Sequence, residues 1–208
     1  MDTEYHYLPR LDRSNYQGRA IVLWTLVMED RARGWLDAKF HAGFRELMLH
    51  AASREGLFCP TYSLMPDHLH LVWMGLERAS DQILAMRFLR RHLQNALDRS
   101  GEKTGFKIRL QKQSHDHVLR EKHRERGGFA GVCNYVLCNP HRAALVKDPS
   151  LWPYSGAVVP GFPDFSPFQA NFWPIFWRAY EKAGEPFPDC GVASPNPNPN
   201  PQTRSGAL

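Results

Sequence analysis

The sequence predicts an α+β fold, one antiparallel sheet with two helices packed on one face. Three observations carry the prediction. Strand-like and helix-like segments follow one another in the order β-α-β-β-α-β-α through the first 148 residues. Both long helical segments place apolar residues at steps of three and four, one stripe of a 3.6-residue helix. The connections left over are short, as in compact domains. Together these describe a ferredoxin-like α+β layer.

Each element has its own signal. Ala20 to Glu29 (AIVLWTLVME) is a buried strand. Asp37 to Glu55 is helical, with Phe40, Phe44, Leu47, Met48 and Ala51 on one stripe. Leu57 to Met65 and His68 to Leu76 are strands joined at Met65-Pro66-Asp67, where the fixed φ of proline suits a turn. Ser80 to Arg99 repeats the helical pattern through Ile83, Met86, Leu89, Leu93 and Leu97. Phe106 to Leu119 holds a further strand or strand pair. A last helix is expected to break or kink at Asn139-Pro140.

The chain divides near Pro149, because twelve of the sixteen prolines lie from there onward. Residues 1–148 form the expected catalytic domain and 149–208 an aromatic- and Pro-rich segment. Its part from Leu151 to Tyr180 is dense in Trp, Phe and Tyr, so it is expected to dock on the domain or offer stacking surfaces. From about residue 190 the Asn-Pro repeat cannot build a core and is expected to be disordered or extended.

Composition narrows the class. No apolar run approaches the roughly 20 residues that cross a bilayer, so no membrane role is expected. The N-terminus lacks the basic-then-apolar plan of a secretory signal, which reads as cytoplasmic. Four cysteines without a CxxC pair argue against a disulfide framework or a cysteine zinc site. The net charge of +5 is localised: residues 77–126 carry 13 Lys/Arg against 7 Asp/Glu, and the flanks are balanced. A solvated helix face and a phosphate-binding surface both have this signature. In the second helix Arg87, Arg90, Arg91 and Gln94 lie away from the apolar stripe, where they can meet phosphates. Arg109, Lys112 and Arg120 extend the track.

Two patterns carry chemistry. In His68-Leu-His-Leu-Val-Trp73, strand alternation sends His68, His70 and Val72 to one face and Leu69, Leu71 and Trp73 to the other. The imidazoles then stand with Cβ atoms roughly 7 Å apart, a spacing that brackets one metal ion or serves two surface histidines. His115-Asp-His117 repeats the period and is either a site or a decoy. In Tyr135-Val-Leu-Cys-Asn139-Pro140, Tyr135 and Asn139 lie four apart and leave one helix face.

Met65-Pro-Asp-His-Leu-His-Leu-Val72 resembles the HUH motif (His, hydrophobic, His) of the single-strand DNA transposases. Tyr135 to Val146 (YVLCNPHRAALV) resembles the tyrosine motif of their REP-associated branch, with Asp116-His-Val-Leu-Arg120 before it and Trp152-Pro-Tyr-Ser155 after it. The likeness runs from about Tyr7 to Ser155.

The resemblance implies a metal-dependent single-stranded DNA endonuclease and strand transferase, transposase-like, acting at hairpin repeats. It places the tyrosine-bearing helix at the active-site face of the sheet. Tyr135 would be the nucleophile that forms a 5′-phosphotyrosine, and His68, His70 and Asn139 would ligate Mg²⁺ or Mn²⁺. Its partners would be single-stranded DNA hairpins, REP-like palindromes, near the nucleoid. Action as a monomer is implied, with a helix-swapping dimer as the alternative. No general base is evident beyond His117 or the metal. Gly127, Gly128 and Gly131 lower the helical propensity ahead of Tyr135, so this helix is expected to start late or to move, or the glycines mark a loop insertion. The competing readings are a DNA-hairpin binding protein without cleavage and a metal amidohydrolase. The latter is disfavoured because its barrel takes about 250 residues.

Overall fold

The computed structural model describes residues 10–105, 107–120 and 127–184, the backbone alone for 100–104. The elements in chain order are β1 (Ile21–Val27), α1 (Ala38–Arg54), β2 (Leu57–Met65), β3 (His68–Gly75) and α2 (Gln82–Thr104). They continue with β4 (His115–Val118), α3 (Gly128–Arg142), β5 (Ser155–Val158) and α4 (Phe172–Ala183). The five strands form one antiparallel sheet in the order β4-β1-β3-β2-β5. The first four strands keep the ferredoxin-like arrangement, and β5 extends the edge beyond β2.

Local chemistry explains where the helices begin. Asp37 caps α1 by accepting from the Phe40 amide at 2.6 Å. Asp81 accepts from the amides of Ile83 and Leu84 at the start of α2, and Arg13 holds its carboxylate at 2.8 Å. Gln82 then pins α2 to the sheet, accepting from Trp24 Nε1 at 3.0 Å and donating to the Ala20 carbonyl at 2.8 Å. Gly127 caps α3 in the left-handed region at φ 74°, a conformation glycine adopts without penalty.

The sheet is buried on both faces. On one, Trp24, Leu26, Leu69, Leu71 and Trp73 pack without exposure beneath α1 and α2. Fully burying side chains of this size is worth about 1.5–3 kcal/mol each. On the other, Phe58, Val72 and Met74 meet Val136 of α3 and Phe172 and Phe176 of α4. The aromatic segment therefore docks, and Tyr180 fixes it by donating to the Gly75 carbonyl at 2.8 Å.

Three expectations change or sharpen. The helix carrying Tyr135 does not end at Pro140 but runs on to Arg142. Proline forfeits one hydrogen bond in this last turn, and bonds from Ala143 to Asn139 and from Leu145 to Pro140 close the end instead. Between residues 107 and 119 only His115–Val118 forms a strand, with one isolated bridge joining Met28 to Leu110. The preceding segment is held by side chains of α2: Gln94 accepts from the Leu110 amide at 2.9 Å, and Arg90 donates to the Gln111 carbonyl. The third is β5, which the proline-rich composition of its surroundings hides.

The extended tail expected from about residue 190 lies outside the described residues. Cys59 and Cys133 are buried free thiols. Among the described residues, no helix is long and apolar enough to cross a membrane.

Two positions test this packing. A Cβ on Gly75 would fall 1.8 Å from the Gly18 carbonyl oxygen, so Gly75→Ala forces the backbone apart. A loss of more than about 3 kcal/mol in urea unfolding is expected. His41 bonds the Tyr62 hydroxyl at 2.8 Å, stands edge-on to Tyr154 and lies near Arg45. Burial and the Arg45 charge push its imidazole down to about 4 from an ordinary 6.5. The unfolded chain thus takes up a proton below about pH 6.5 that the folded chain refuses until about pH 4. Stability is full above that window and falls through it. His41→Gln should flatten the decline in urea titrations at successive pH values.

Candidate functional site

The register of β3 with its neighbours fixes the imidazole pair. His70 lies opposite Thr25 of β1 and Ser63 of β2, while His68 lies opposite Val27 and Met65. The two rings are edge-on with centroids 4.8 Å apart.

Each imidazole is oriented through the same nitrogen. His68 Nδ1 is 2.6 Å from Asp67 Oδ1, and His70 Nδ1 is 2.8 Å from Thr25 Oγ1. With a proton on each Nδ1, His68 donates to the carboxylate, His70 donates to the hydroxyl, and both Nε2 lone pairs are left for a ligand. A carboxylate behind a histidine is a recurrent device for orienting a metal ligand and raising its basicity. Burial, together with the neighbouring His68, pushes the His70 imidazole down to about 4. It is therefore neutral at pH 7, the form that ligates a cation.

Asp67 is itself held. Burial works against its charge, but the hydrogen bond with His68 and the charges of Arg31 and Arg33 keep its carboxyl below the usual range. Arg31 approaches Asp67 Oδ2 at 3.6 Å. The turn that delivers it has two consecutive non-glycine residues in the left-handed region, Asp30 and Arg31, both at φ 53°. That conformation costs roughly 1–2 kcal/mol per residue.

Helix α3 brings the phenol. Its buried side, Cys133, Val136, Leu137 and Pro140, lies against the sheet, and the Tyr135 ring centroid comes 5.5 Å from that of His70. Tyr135 remains 38% exposed, enough for a substrate to reach it. The Arg142 guanidinium sits 5.1 Å over its ring. One turn on, Asn139 has a buried amide nitrogen with no hydrogen-bond partner among the described residues.

These groups suit a divalent cation. The two imidazoles, with Nε2 left open, and the Oδ1 of the Asn139 amide would make a mixed N/O donor set, which fits Mn²⁺ as well as Mg²⁺; the unpartnered Asn139 nitrogen is itself a donor and would not ligate. Among the described residues no group of three or more His, Cys, Asp or Glu is placed to hold a metal ion.

The remaining candidates fall elsewhere. His115 and His117 pair with Thr25 and Leu23, so they share the face of His70 but lie two strands away, roughly 10 Å. Arg87, Arg90 and Lys112 line a cleft on the α2 side of the sheet, away from Tyr135. Arg90 and Gln94 use polar atoms to hold the backbone of residues 108–112. Arg91, Arg109 and Arg120 are exposed. Sequence reasoning misses Asp67, although it adjoins His68, and also Thr25 and Arg142, whose roles depend on strand register and helix length.

No family model matches the sequence, and no curated protein matches it. Among solved structures, a REP-associated tyrosine transposase bound to a REP hairpin aligns with a TM-score of 0.55 and 19% identity. The alignment covers 72% of this chain and 81% of that one. A proposed transposase from Deinococcus radiodurans aligns with a TM-score of 0.38 and 15% identity, over 64% and 97% of the two chains. The chain thus has the α+β fold of the REP-associated tyrosine transposase, built on a five-stranded antiparallel sheet.

Removing the carboxylate behind His68 tests the site without any reaction. Asp67→Asn should weaken Mn²⁺ binding about 10–100-fold, read by electron paramagnetic resonance titration, with little change in unfolding. Wild-type affinity in that variant would detach Asp67 from ligand orientation.

Proposed function

We propose that the chain is a metal-dependent single-stranded DNA endonuclease and strand transferase of the HUH type, acting at REP-like hairpins through a 5′-phosphotyrosine. The observation that carries this reading is the meeting of the Tyr135 ring with the His70 ring at 5.5 Å. A phenol and a pair of oriented imidazoles can then share one phosphate. The fold likeness to a transposase solved with a REP hairpin supports the choice of substrate.

In the reaction, Tyr135 Oη attacks phosphorus, an O–P bond to the tyrosine forms and the bond to the 3′ oxygen breaks. The phenol proton leaves Tyr135, and the departing 3′ oxygen takes up a proton to become a hydroxyl. The phosphotyrosine conserves the phosphodiester energy, so attack by another DNA 3′-hydroxyl rejoins a strand and restores the phenol. No nucleotide hydrolysis is required, and the sequence has no GxxxxGK[ST] loop. His68, His70 and Asn139 would hold Mg²⁺ or Mn²⁺, which would supply charge neutralisation for the phosphate.

The chain's own groups do the rest. Asp67 and Thr25 keep both Nε2 atoms aimed at the site. Arg142 lies over the nucleophile's ring in a cation–π contact that helps seat it. Tyr135 meets the histidine pair of its own chain, which supports action by a single copy.

The test is a covalent adduct. With hairpin DNA and Mn²⁺, the full chain should form a DNA–protein species stable in denaturing gels. Tyr135→Phe should abolish it while retaining hairpin binding within about twofold, since the lost hydroxyl acts in the transition state. Equal adduct in both proteins would remove Tyr135 as the nucleophile. Hairpin binding with no adduct in either would instead favour a binding protein.

A further inference from the structure

The cleft on the far side of the sheet has the chemistry of a nucleotide site. It has a volume of about 400 Å³ and lies between α2 and the segment leading into β4. Four cationic residues line it, Arg10, Arg87, Arg90 and Lys112, over an apolar floor of Ile83 and Met86. No carboxylate is among its described lining residues. Arg10 reaches Asp116 at 3.4 Å and Ser114 Oγ at 3.1 Å, so its charge is partly matched. Arg90 is not matched in this way. Its Nη2 donates to two backbone carbonyls, while its buried Nη1 has no partner among the described residues. Burial and the nearby Arg10 charge both disfavour the Arg90 cation, a cost that an anion in the cleft would offset.

The position of the cleft identifies the anion. It opens beside β4, an edge strand, and only β1 separates β4 from the histidine strand β3. The way from Tyr135 across two strand spacings and round the edge is on the order of 20 Å, a few nucleotides of extended single strand. Cations over an apolar floor suit a phosphodiester with its sugar and base better than a bare inorganic anion.

We propose that this cleft is a second nucleotide site, which holds a phosphodiester of the same DNA strand after the strand rounds the β4 edge. It anchors the single-stranded flank a few nucleotides from the bond at Tyr135. The proposal rests on the reading of the chain as a single-stranded DNA enzyme, and its test separates the two.

Hairpin oligonucleotides with short and long single-stranded extensions are bound to the full chain carrying Tyr135→Phe, with Mn²⁺, and followed by fluorescence anisotropy. Lengthening the extension should raise affinity about tenfold, with a steeper salt dependence. Arg87→Glu, at an exposed position free of the loop-holding bonds of Arg90, should remove that gain, and Arg87→Lys should restore most of it. Inorganic phosphate should compete away the gain and leave the short oligonucleotide bound.

A gain that survives Arg87→Glu, or no gain with length, overturns the proposal. So does Arg87-dependent binding of thymidine monophosphate with no effect of length, which would make the cleft a site for free nucleotides. Adduct formation by the chain with Tyr135 intact is read separately on the same oligonucleotides. Its absence alongside an Arg87-dependent gain would sink transesterification and leave the cleft standing.

Discussion

The antiparallel pairing of β1 with β3 is the constraint on which the site depends. It sets Thr25 against His70, and the two-residue period of the strand then directs all polar chemistry to one face. A slip of one residue would drive His68 and His70 beneath α1 and α2 and turn Leu69, Leu71 and Trp73 to the face of α3. Burial of that apolar trio resists the slip. The energy that folds the sheet is thus the same energy that aims the imidazoles.

Around this strand the supporting groups come from distant parts of the chain. Thr25 comes from β1, Arg31 from the strained turn after it, Asp67 from the β2–β3 connection, and Tyr135 from a helix some 65 residues on. The partners of the histidines hold them through short hydrogen bonds. The phenol, by contrast, is half-open on a helix that glycines introduce.

The opposite layer divides its basic residues between two duties. Arg90 and Gln94 fasten an irregular segment with few strand partners of its own, so their position on the polar face of α2 is structural as well as electrostatic. Arg87 carries no such bond among the described residues and borders the cleft. Charge counting treats these residues alike, because it records sign and spacing but not which backbone carbonyls lie within reach.

Elements with a strong local signal are legible in the amino-acid sequence. The apolar run 57–65 forms β2 over its whole length, α1 lies between its caps at Asp37 and Glu55, and the facing of His68 and His70 follows from alternation alone. The end of α3 escapes such reasoning, because the usual helix-breaking effect of proline shrinks in the last turn to one forfeited hydrogen bond. β5 has no local signal, since a four-residue strand owes its existence to pairing with Cys59, Tyr62 and Ser63 rather than to its own composition.

By itself the sequence determined periodicity, local caps and the residue types able to do chemistry, all properties of neighbours along the chain. The tertiary structure decided which of these residues meet. Thr25 behind His70, Arg142 over Tyr135, and four cations around one cleft depend on strand register and helix seating, which are fixed by contacts between residues far apart in sequence.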